Sequence, residues 1–209
     1  MSSAANGEPG GGIAWGAALR PLPGEAQCGD ACQVLETPQG CVLAVADGLG
    51  HGAEAAAAAQ RALAALRAAS QESVIQQMHR CHEALRGTRG VVLSLAIMDY
   101  GEESLTWAGV GNVTGMLLRA AKTEPEREHL LCRSGTLGAQ LPPVYAGIVP
   151  LGAGDLLLLH TDGIKPGCAD TLGHNPAPPQ RMADDLLRAC AKDNDDALML
   201  VARYLGRPR

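Results

Sequence analysis

Cys41-Val-Leu-Ala-Val-Ala-Asp-Gly-Leu-Gly-His-Gly52 is the stretch of sequence that decides the architecture of this chain. Its first six residues form an apolar run with the length and composition of a buried β-strand. Asp47 follows the run directly, and the glycines at 48, 50 and 52 predict a tight turn that permits close backbone approach. The alanine-rich segment 53–69 comes next and favours a helix. This order predicts a carboxylate at the end of a buried strand.

Two further aspartates occupy the same kind of position. Asp162 follows the apolar run 156–159 within His-Thr-Asp-Gly, and Asp195 comes just before the apolar run 198–201. A carboxylate beside a buried strand is costly to desolvate unless it is compensated, and Mg²⁺ or Mn²⁺ is the usual partner of several such oxygens. One Asp-Gly after a strand is typical of an ordinary turn. If the three strand ends converge, Asp47, Asp162 and Asp195 predict a metal site.

The rest of the chain predicts strands in antiparallel series with a few inserted helices. Two helices follow the third strand and one precedes the last, which predicts an α+β fold of two packed sheets covered by helices. A small, polar segment, 1–12, is expected to be disordered, and 13–209 to form a single domain. The predicted strands are 13–19, 31–36, 41–46, 91–98, 105–110, 113–119, 155–160 and 197–204, with weaker candidates at 130–133 and 144–149; the predicted helices are 53–69, 71–85 and 180–190.

The composition excludes several classes of partner. Aromatic residues make up only 2% of the chain, Phe is absent and the formal charge is −5, so a nucleic-acid surface is not expected. No apolar stretch approaches the ~20 residues that cross a bilayer, and the N-terminus has no apolar signal core. Seven cysteines without a Cys-x-x-Cys pair indicate reduced thiols. The sequence therefore predicts a cytoplasmic protein without membrane or nucleic-acid partners.

Five segments together resemble one known family. They occur in the order in which the metal-dependent (PPM) protein serine/threonine phosphatases carry them, and they resemble in particular the compact bacterial branch of RsbX-like and SpoIIE-like stress-response phosphatases. The resemblance spans about residues 13–204 and implies an α-β-β-α sandwich with a metal cleft at one edge of the two sheets. The segments are Cys28-Gly-Asp30, Val45-Ala-Asp-Gly-Leu-Gly-His-Gly52, Trp107-Ala-Gly-Val-Gly-Asn-Val113, Leu159-His-Thr-Asp-Gly-Ile164 and Asp195-Asp-Ala-Leu-Met-Leu-Val201.

The resemblance also implies roles for individual residues. Asp47 would bridge two Mn²⁺ or Mg²⁺ ions, and the carbonyl of Gly48 would bind one of them. Asp162 and Asp195 would hold the other ion, and Asp30 would act through a bound water. A hydroxide between the ions would attack phosphorus directly, so neither a phosphoenzyme nor a nucleophilic Ser or Cys is expected.

Some positions depart from the family pattern. Leu49 stands where the animal-type enzymes carry the His that protonates the leaving group. His51, two residues later, is a candidate catalytic residue that would orient the loop or contact the phosphate. Asn112 replaces an Asp that binds a third metal in some members, so no third ion is expected. Leu198 replaces the usual Thr, and Arg20 is the candidate for the arginine that grips phosphate in larger relatives.

The family resemblance implies a phosphorylated protein substrate, of the STAS-domain kind, in a bacterial stress-signalling module. A pseudophosphatase that binds phosphoprotein without turnover is the alternative, suggested by the displaced His and by Asn112. A dinucleotide-binding interpretation of Gly48-x-Gly50-x-x-Ala53 lacks the second parallel strand that it requires.

Other candidate residues have simpler interpretations. Crowding of His79, Cys81 and His82 indicates an ordinary surface or half-buried helix rather than a metal site. His174, in the Pro-rich loop 166–179, is expected to be solvated, and Asp193 is the rival of Asp195 for the last metal position.

Overall fold

A computed structural model describes residues 11–121, 125–172 and 176–208, apart from the side chain of Thr171. Of the segment expected to be disordered, 1–12, only the last two residues are among them. The strands are β1 (Ile13–Arg20), β2 (Asp30–Thr37), β3 (Gly40–Gly48), β4 (Val91–Asp99), β5 (Ser104–Val110), β6 (Thr114–Leu118), β7 (Arg127–Leu130), β8 (Gly147–Pro150), β9 (Leu156–His160) and β10 (Ala197–Tyr204). The helices are α1 (Gly52–Ala68), α2 (Val74–Ala84) and α3 (Pro179–Cys190), with a 3₁₀ turn at Ala169–Thr171.

Two five-stranded antiparallel sheets form the centre of the molecule. The first has the order β1-β10-β9-β6-β7 and the second the order β2-β3-β4-β5-β8. Helix α3 packs on the first sheet, and α1 and α2 pack on the second. The predicted α-β-β-α sandwich is therefore confirmed. Within the described residues, no helix is both long and apolar enough to reach across a bilayer.

The weaker strand candidates differ most from the structure. The expected strand 130–133 is displaced to Arg127–Leu130, and the expected strand 144–149 begins later and ends one residue later, as Gly147–Pro150. Both are edge strands of four residues with mixed burial. Because an edge strand has one partner and little buried surface, its bounds leave a weak pattern in the sequence.

Strands β3 and β10 are apolar on both faces because each lies between the other sheet and a helix. In β3, Leu43 and Val45 belong to the core between the sheets, whereas Ala44 and Ala46 pack towards α1. In β10 the alternate residues divide in the same way between the inner core and α3. Two-sided burial explains why these segments appear in the sequence as continuous apolar runs rather than as alternating patterns.

Helix α1 approaches the end of β3 very closely. Its buried stripe consists mainly of alanines, which allow a short distance between helix and sheet. A methyl group at Gly48 would overlap the carbonyl oxygen of Ala55 in this helix. Glycine is therefore required at 48 by packing, and the Asp47 loop rests directly on α1.

The expectation that all seven cysteines are reduced thiols is wrong. Cys168 and Cys190 form a disulfide, with their Cα atoms 6.1 Å apart. The 22-residue separation follows no local motif, because folding alone brings the loop after β9 against the end of α3. Backbone hydrogen bonds from Lys165 to Cys190 and from Lys192 to Gly163 join the same two segments. The disulfide thus reinforces the connection between the chain that follows Asp162 and the chain that leads to Asp195.

Removal of this cross-link should destabilise the fold. The Cys168→Ala/Cys190→Ala variant is expected to lose about 3 kcal/mol of unfolding free energy, because a loop of this length becomes free in the unfolded chain. Urea denaturation under non-reducing conditions measures the change. Cys132→Ala, at a free cysteine, is the control. An unchanged midpoint for the wild type on addition of dithiothreitol would contradict the cross-link.

Candidate active site

The three predicted aspartates lie together in a cleft at one end of the sandwich. Asp30 and Asp47 are direct partners in the register of β2 and β3, while Asp162 follows β9 and Asp195 precedes β10. Strand ends from both sheets therefore meet here. The cleft has a volume of about 460 Å³ and is lined by Asp47, Leu49, Gly50, His51, Val92, Gly111, Asn112, Ser134, Gly135, Asp162 and Asp195. Gly48 lies between two of the lining residues.

Asp30 is buried behind the cleft and connects the two sheets. The Thr161 hydroxyl donates a 2.7 Å hydrogen bond to Oδ2 of Asp30, and the backbone N–H of Leu198 donates a 2.9 Å bond to that hydroxyl. A single threonine thus joins β2 of one sheet to the β9–β10 end of the other. Thr161 stands beside Asp162 in the sequence, but only the fold shows which carboxylate it contacts.

Other polar side chains fix the aspartates that line the cleft. The Asn112 side-chain amide donates a 2.8 Å hydrogen bond to Oδ2 of Asp162, and the Lys192 ammonium donates to the Asp162 carbonyl. Asp195 accepts a 2.9 Å bond from the backbone N–H of Asp196. Lys192 was not predicted as a site residue, because nothing in its sequence neighbourhood indicates a contact with Asp162.

Asp196 is a further carboxylate that the site prediction omitted. Its side chain is buried and accepts a 2.8 Å hydrogen bond from the backbone N–H of Leu22. It therefore anchors the loop between β1 and β2, which leads to Asp30. The signal for it was the second Asp of the pair at 195–196.

The carboxylates interact strongly with one another. Burial, followed by repulsion from Asp30, Asp162 and Asp195, raises the pKa of Asp47 to about 8. Burial raises the pKa of Asp30 to about 7 against the opposing effect of the Thr161 hydrogen bond, and neighbouring aspartates add to the rise. The pKa of Asp195 is raised by burial and by Asp162. Without a cation, this cleft holds protons at neutral pH.

The donor set has the chemistry of a site for hard cations. Oxygen ligands from carboxylates are what Mg²⁺ and Mn²⁺ prefer, and cations would offset the burial and the mutual repulsion that raise these pKa values. Among the described residues, no three Asp, Glu, His or Cys side chains already stand in a ready-made coordination cluster. The carboxylates are thus neighbours that repel one another, and the residues present fit a divalent metal by charge and donor type.

His51 is held in the cleft wall by a carboxylate that the sequence did not indicate. Its Nδ1 lies 2.6 Å from Oε1 of Glu25, in the loop between β1 and β2. A carboxylate at Nδ1 sets the tautomer and leaves Nε2 free for another contact. The pairing spans 26 residues between two Gly-rich loops, so no local periodicity predicts it.

Two other sequence candidates lie beside the cleft rather than in it. Arg20 forms an ion pair with Asp193 and donates to the carbonyl of Lys192, so it braces the chain before Asp195. The side chain of Asp193 is 93% exposed, whereas Asp195 lines the cleft. Among the described residues lining the cleft there is no arginine.

The helix that carries two histidines is part of the packing. Cys81 is buried and its thiol donates to the carbonyl of Ala62, while Nδ1 of the buried His82 accepts from the backbone N–H of Gly138. These contacts agree with the interpretation of an ordinary half-buried helix. His174 lies outside the described residues.

Comparison with solved structures identifies the fold. A chain from a structure described as the bacterial stressosome, a modular system adapted to control secondary messenger signalling, is 31% identical, has a TM-score of 0.85, and the match covers 91% of this chain and 99% of that one. RsbX in complex with magnesium has a TM-score of 0.83 at 22% identity, covering 95% and 98% of the two chains. The two-sheet sandwich therefore has the PPM-type fold.

Sequence comparison gives the family. The model of stage II sporulation protein E (SpoIIE) matches residues 37–205. Phosphoserine phosphatase RsbX of Bacillus subtilis (strain 168) is 28% identical over 145 residues, which cover 68% of this chain and 70% of RsbX. This chain belongs to the SpoIIE family and is a protein serine/threonine phosphatase of the PPM type.

Because the cleft aspartates bind protons at neutral pH, the stability of the metal-free fold should depend on pH. An unfolded aspartate has a pKa of about 4, so between pH 4 and pH 8 the metal-free folded state binds protons that the unfolded chain releases. Stability in EDTA should therefore fall as the pH rises through this range. Asp47→Asn should remove part of the fall and stabilise the protein at pH 8 by at least about 1 kcal/mol, since one pKa unit corresponds to about 1.4 kcal/mol.

Thermal unfolding from pH 4.5 to 8 measures this effect. Asp193→Asn is the matched control, because it makes the same change at an aspartate whose side chain is 93% exposed. Equal pH profiles for the wild type and Asp47→Asn would contradict the electrostatic description of the cleft.

Proposed function

We propose that this phosphatase hydrolyses phosphoserine or phosphothreonine on a bacterial signalling protein, a STAS-domain stress-response regulator, with two Mn²⁺ or Mg²⁺ ions as cofactors. The observation that carries the proposal is the convergence of Asp47, Asp162 and Asp195, from both sheets, in one cleft. Family membership supports the phosphoryl chemistry. The similarity to RsbX and to a stressosome chain supports the choice of partner. The cytoplasmic location expected from the sequence stays a prediction.

The proposed metal ligands are those that the family resemblance implies. Asp47, the Gly48 carbonyl, Asp162 and Asp195 would supply the oxygen ligands that hold the ions, and the buried Asp30 would act through water. Bound divalent cations supply charge compensation for the phosphoryl oxygens and lower the pKa of attacking water.

The surrounding side chains would keep these ligands in place. Thr161 holds Asp30, and Asn112 and Lys192 hold the Asp162 side chain and carbonyl respectively. Positioned ligands reduce the reorganisation needed in the transition state. Their hydrogen bonds join elements that are far apart in the sequence, so the cleft geometry depends on correct packing of both sheets.

His51 is the proposed proton donor. As the oxygen of water forms its bond to phosphorus, the bond between phosphorus and the seryl oxygen breaks, and the leaving alkoxide takes a proton from Nε2 of His51. Glu25, bonded to Nδ1, would orient the ring. Leu49 leaves the usual position of this acid apolar, so the Glu25–His51 pair would supply the proton from the next turn of the loop.

Phosphoprotein binding without turnover is the second candidate. The observation in its favour is that Asn112 stands where some family members carry a metal-binding Asp and donates a hydrogen bond to Oδ2 of Asp162. Calorimetric titration with Mn²⁺ discriminates between the two candidates, because a pseudophosphatase should bind the ion weakly or not at all.

Loss of a metal ligand should abolish turnover. With Mn²⁺ the wild type should hydrolyse p-nitrophenyl phosphate, and Asp47→Asn or EDTA should lower kcat/KM by at least about 10³-fold, since several kcal/mol of transition-state stabilisation is lost. Asp193→Asn, at an exposed aspartate that does not line the cleft, should keep full activity. Hydrolysis that survives both EDTA and Asp47→Asn would disprove the metal mechanism.

The effect of removing the proton donor should depend on the leaving group of the substrate. His51→Gln should slow hydrolysis of phenyl phosphate and of phosphoserine peptides by about 10²-fold or more, because their leaving groups need a proton. p-Nitrophenolate leaves without protonation, so that substrate should change by less than about threefold. Glu25→Gln should slow the hydrolysis of the same substrates, with the same order of effects. Equal losses on all three substrates would show that His51 has another role.

A further inference from the structure

Exposed apolar side chains concentrate on one face of the molecule, next to the cleft. In the described part of the chain, six large hydrophobic residues are exposed. Three of them, Leu131 (85% exposed), Ile148 (70%) and Tyr145 (64%), line a single groove. A fourth, Leu49, lines the cleft itself. Apolar side chains clustered in this way on a surface indicate a binding site more often than scattered ones do.

The groove lies between the edge strands of the two sheets. Strand β7 and the residues that follow it form one wall, and the segment 145–149, which includes β8, forms the other. The groove has a volume of about 500 Å³. Gly147 faces the ring of Trp107, and a methyl group there would lie 3.0 Å from that ring. The indole thus forms an apolar wall that a larger residue at 147 would cover.

A cationic side chain lies across the groove. Backbone bonds fix Arg133, which donates its N–H to Gly109 (2.9 Å) and accepts from Gly111 (2.8 Å). Its guanidinium stands 4.7 Å from the centre of the Tyr145 ring. No carboxylate within the described ranges forms an ion pair with this guanidinium, so its charge is available to an anionic partner.

The groove is continuous with the cleft along the chain. Ser134 and Gly135, which follow Arg133 directly, line the cleft, whereas Leu131 and Arg133 line the groove. Three residues of extended chain span about 10 Å. An extended ligand whose phosphorylated residue occupies the cleft would therefore reach the groove with a side chain three or four residues away.

We propose that this groove docks the phosphoprotein substrate, by taking an apolar side chain three or four residues from the phosphorylated residue. Arg133 contacts an acidic group on the intervening segment. Continuity with the cleft and the charge of Arg133 select a substrate segment as the occupant over a second copy of this chain. The inference rests on the proposed phosphatase function and adds to it the means by which a protein substrate is distinguished from a small phosphate ester.

Phosphoserine peptides test the proposal. The probes are ten-residue peptides with one leucine three or four residues before or after phosphoserine, and matched peptides with alanine at that position. For the wild type we expect kcat/KM about tenfold higher for one leucine peptide than for its alanine match, a ratio equivalent to 1.4 kcal/mol. Leu131→Ser/Ile148→Ser should abolish the difference, and Arg133→Gln should weaken the response to an acidic residue between the two positions.

The controls separate docking from catalysis. Ile75→Ser/Leu205→Ser also removes two exposed apolar side chains, which lie elsewhere on the surface, and should keep the tenfold preference. All variants should hydrolyse p-nitrophenyl phosphate and phenyl phosphate as the wild type does. A groove variant that loses activity on these small esters as well, or one that keeps the leucine preference, would overturn the proposal.

A binding measurement makes the result independent of turnover. Fluorescence anisotropy with Asp47→Asn should show tighter binding of the leucine peptide, and the groove substitutions in that background should remove the difference. Preference in binding without any hydrolysis by the wild type would refute the phosphatase mechanism and leave the docking groove supported. Sedimentation velocity that shows a wild-type dimer dissociated by Leu131→Ser/Ile148→Ser would assign the groove to self-association and overturn the proposal.

Discussion

Repulsion between buried carboxylates is the constraint around which the molecule is organised. Asp30 and Asp47 come from one sheet and Asp195 from the end of the other. Burial raises the pKa of each of the three, and repulsion from neighbouring aspartates adds to the rise. Such a concentration of like charge opposes folding unless the rest of the structure outweighs it. The double layer of apolar strands, covered on both sides by helices, supplies that opposing stability. The sandwich therefore holds together carboxylates that would otherwise separate.

Hydrogen bonds across the sheets turn this proximity into a defined geometry. Thr161 accepts a hydrogen bond from Leu198 in its own sheet and donates one to Asp30 in the other. A buried hydroxyl with both contacts satisfied has little freedom to move. Lys192 and Asn112 act in the same way on Asp162. The three side chains occupy the ends of elements rather than their centres, where the chain direction changes and both sheets are within reach.

The sequence predicted the elements with two-sided burial and the aspartates attached to them. Asp47 and Asp195 adjoin continuous apolar runs. Such runs predict strands clearly because each strand is buried on both faces, by the other sheet and by a helix. Contacts between loops could not be predicted in this way. The Glu25–His51 pair and the Cys168–Cys190 disulfide join segments 22 or more residues apart that have no periodic pattern. Strands β7 and β8 were misplaced because four half-exposed residues leave no clear signal.

The edge strands β7 and β8 should open more easily than the central strands that carry the carboxylates. Amides of β3 and β10, packed on both sides, should exchange with deuterium only when the whole domain unfolds, and the carboxylates next to them share that rigidity. The strands β7 and β8 have one neighbour each and few buried contacts, so they should open locally and exchange much faster. The strands beside the carboxylates are thus rigid, whereas the strands that form the groove can adjust their shape.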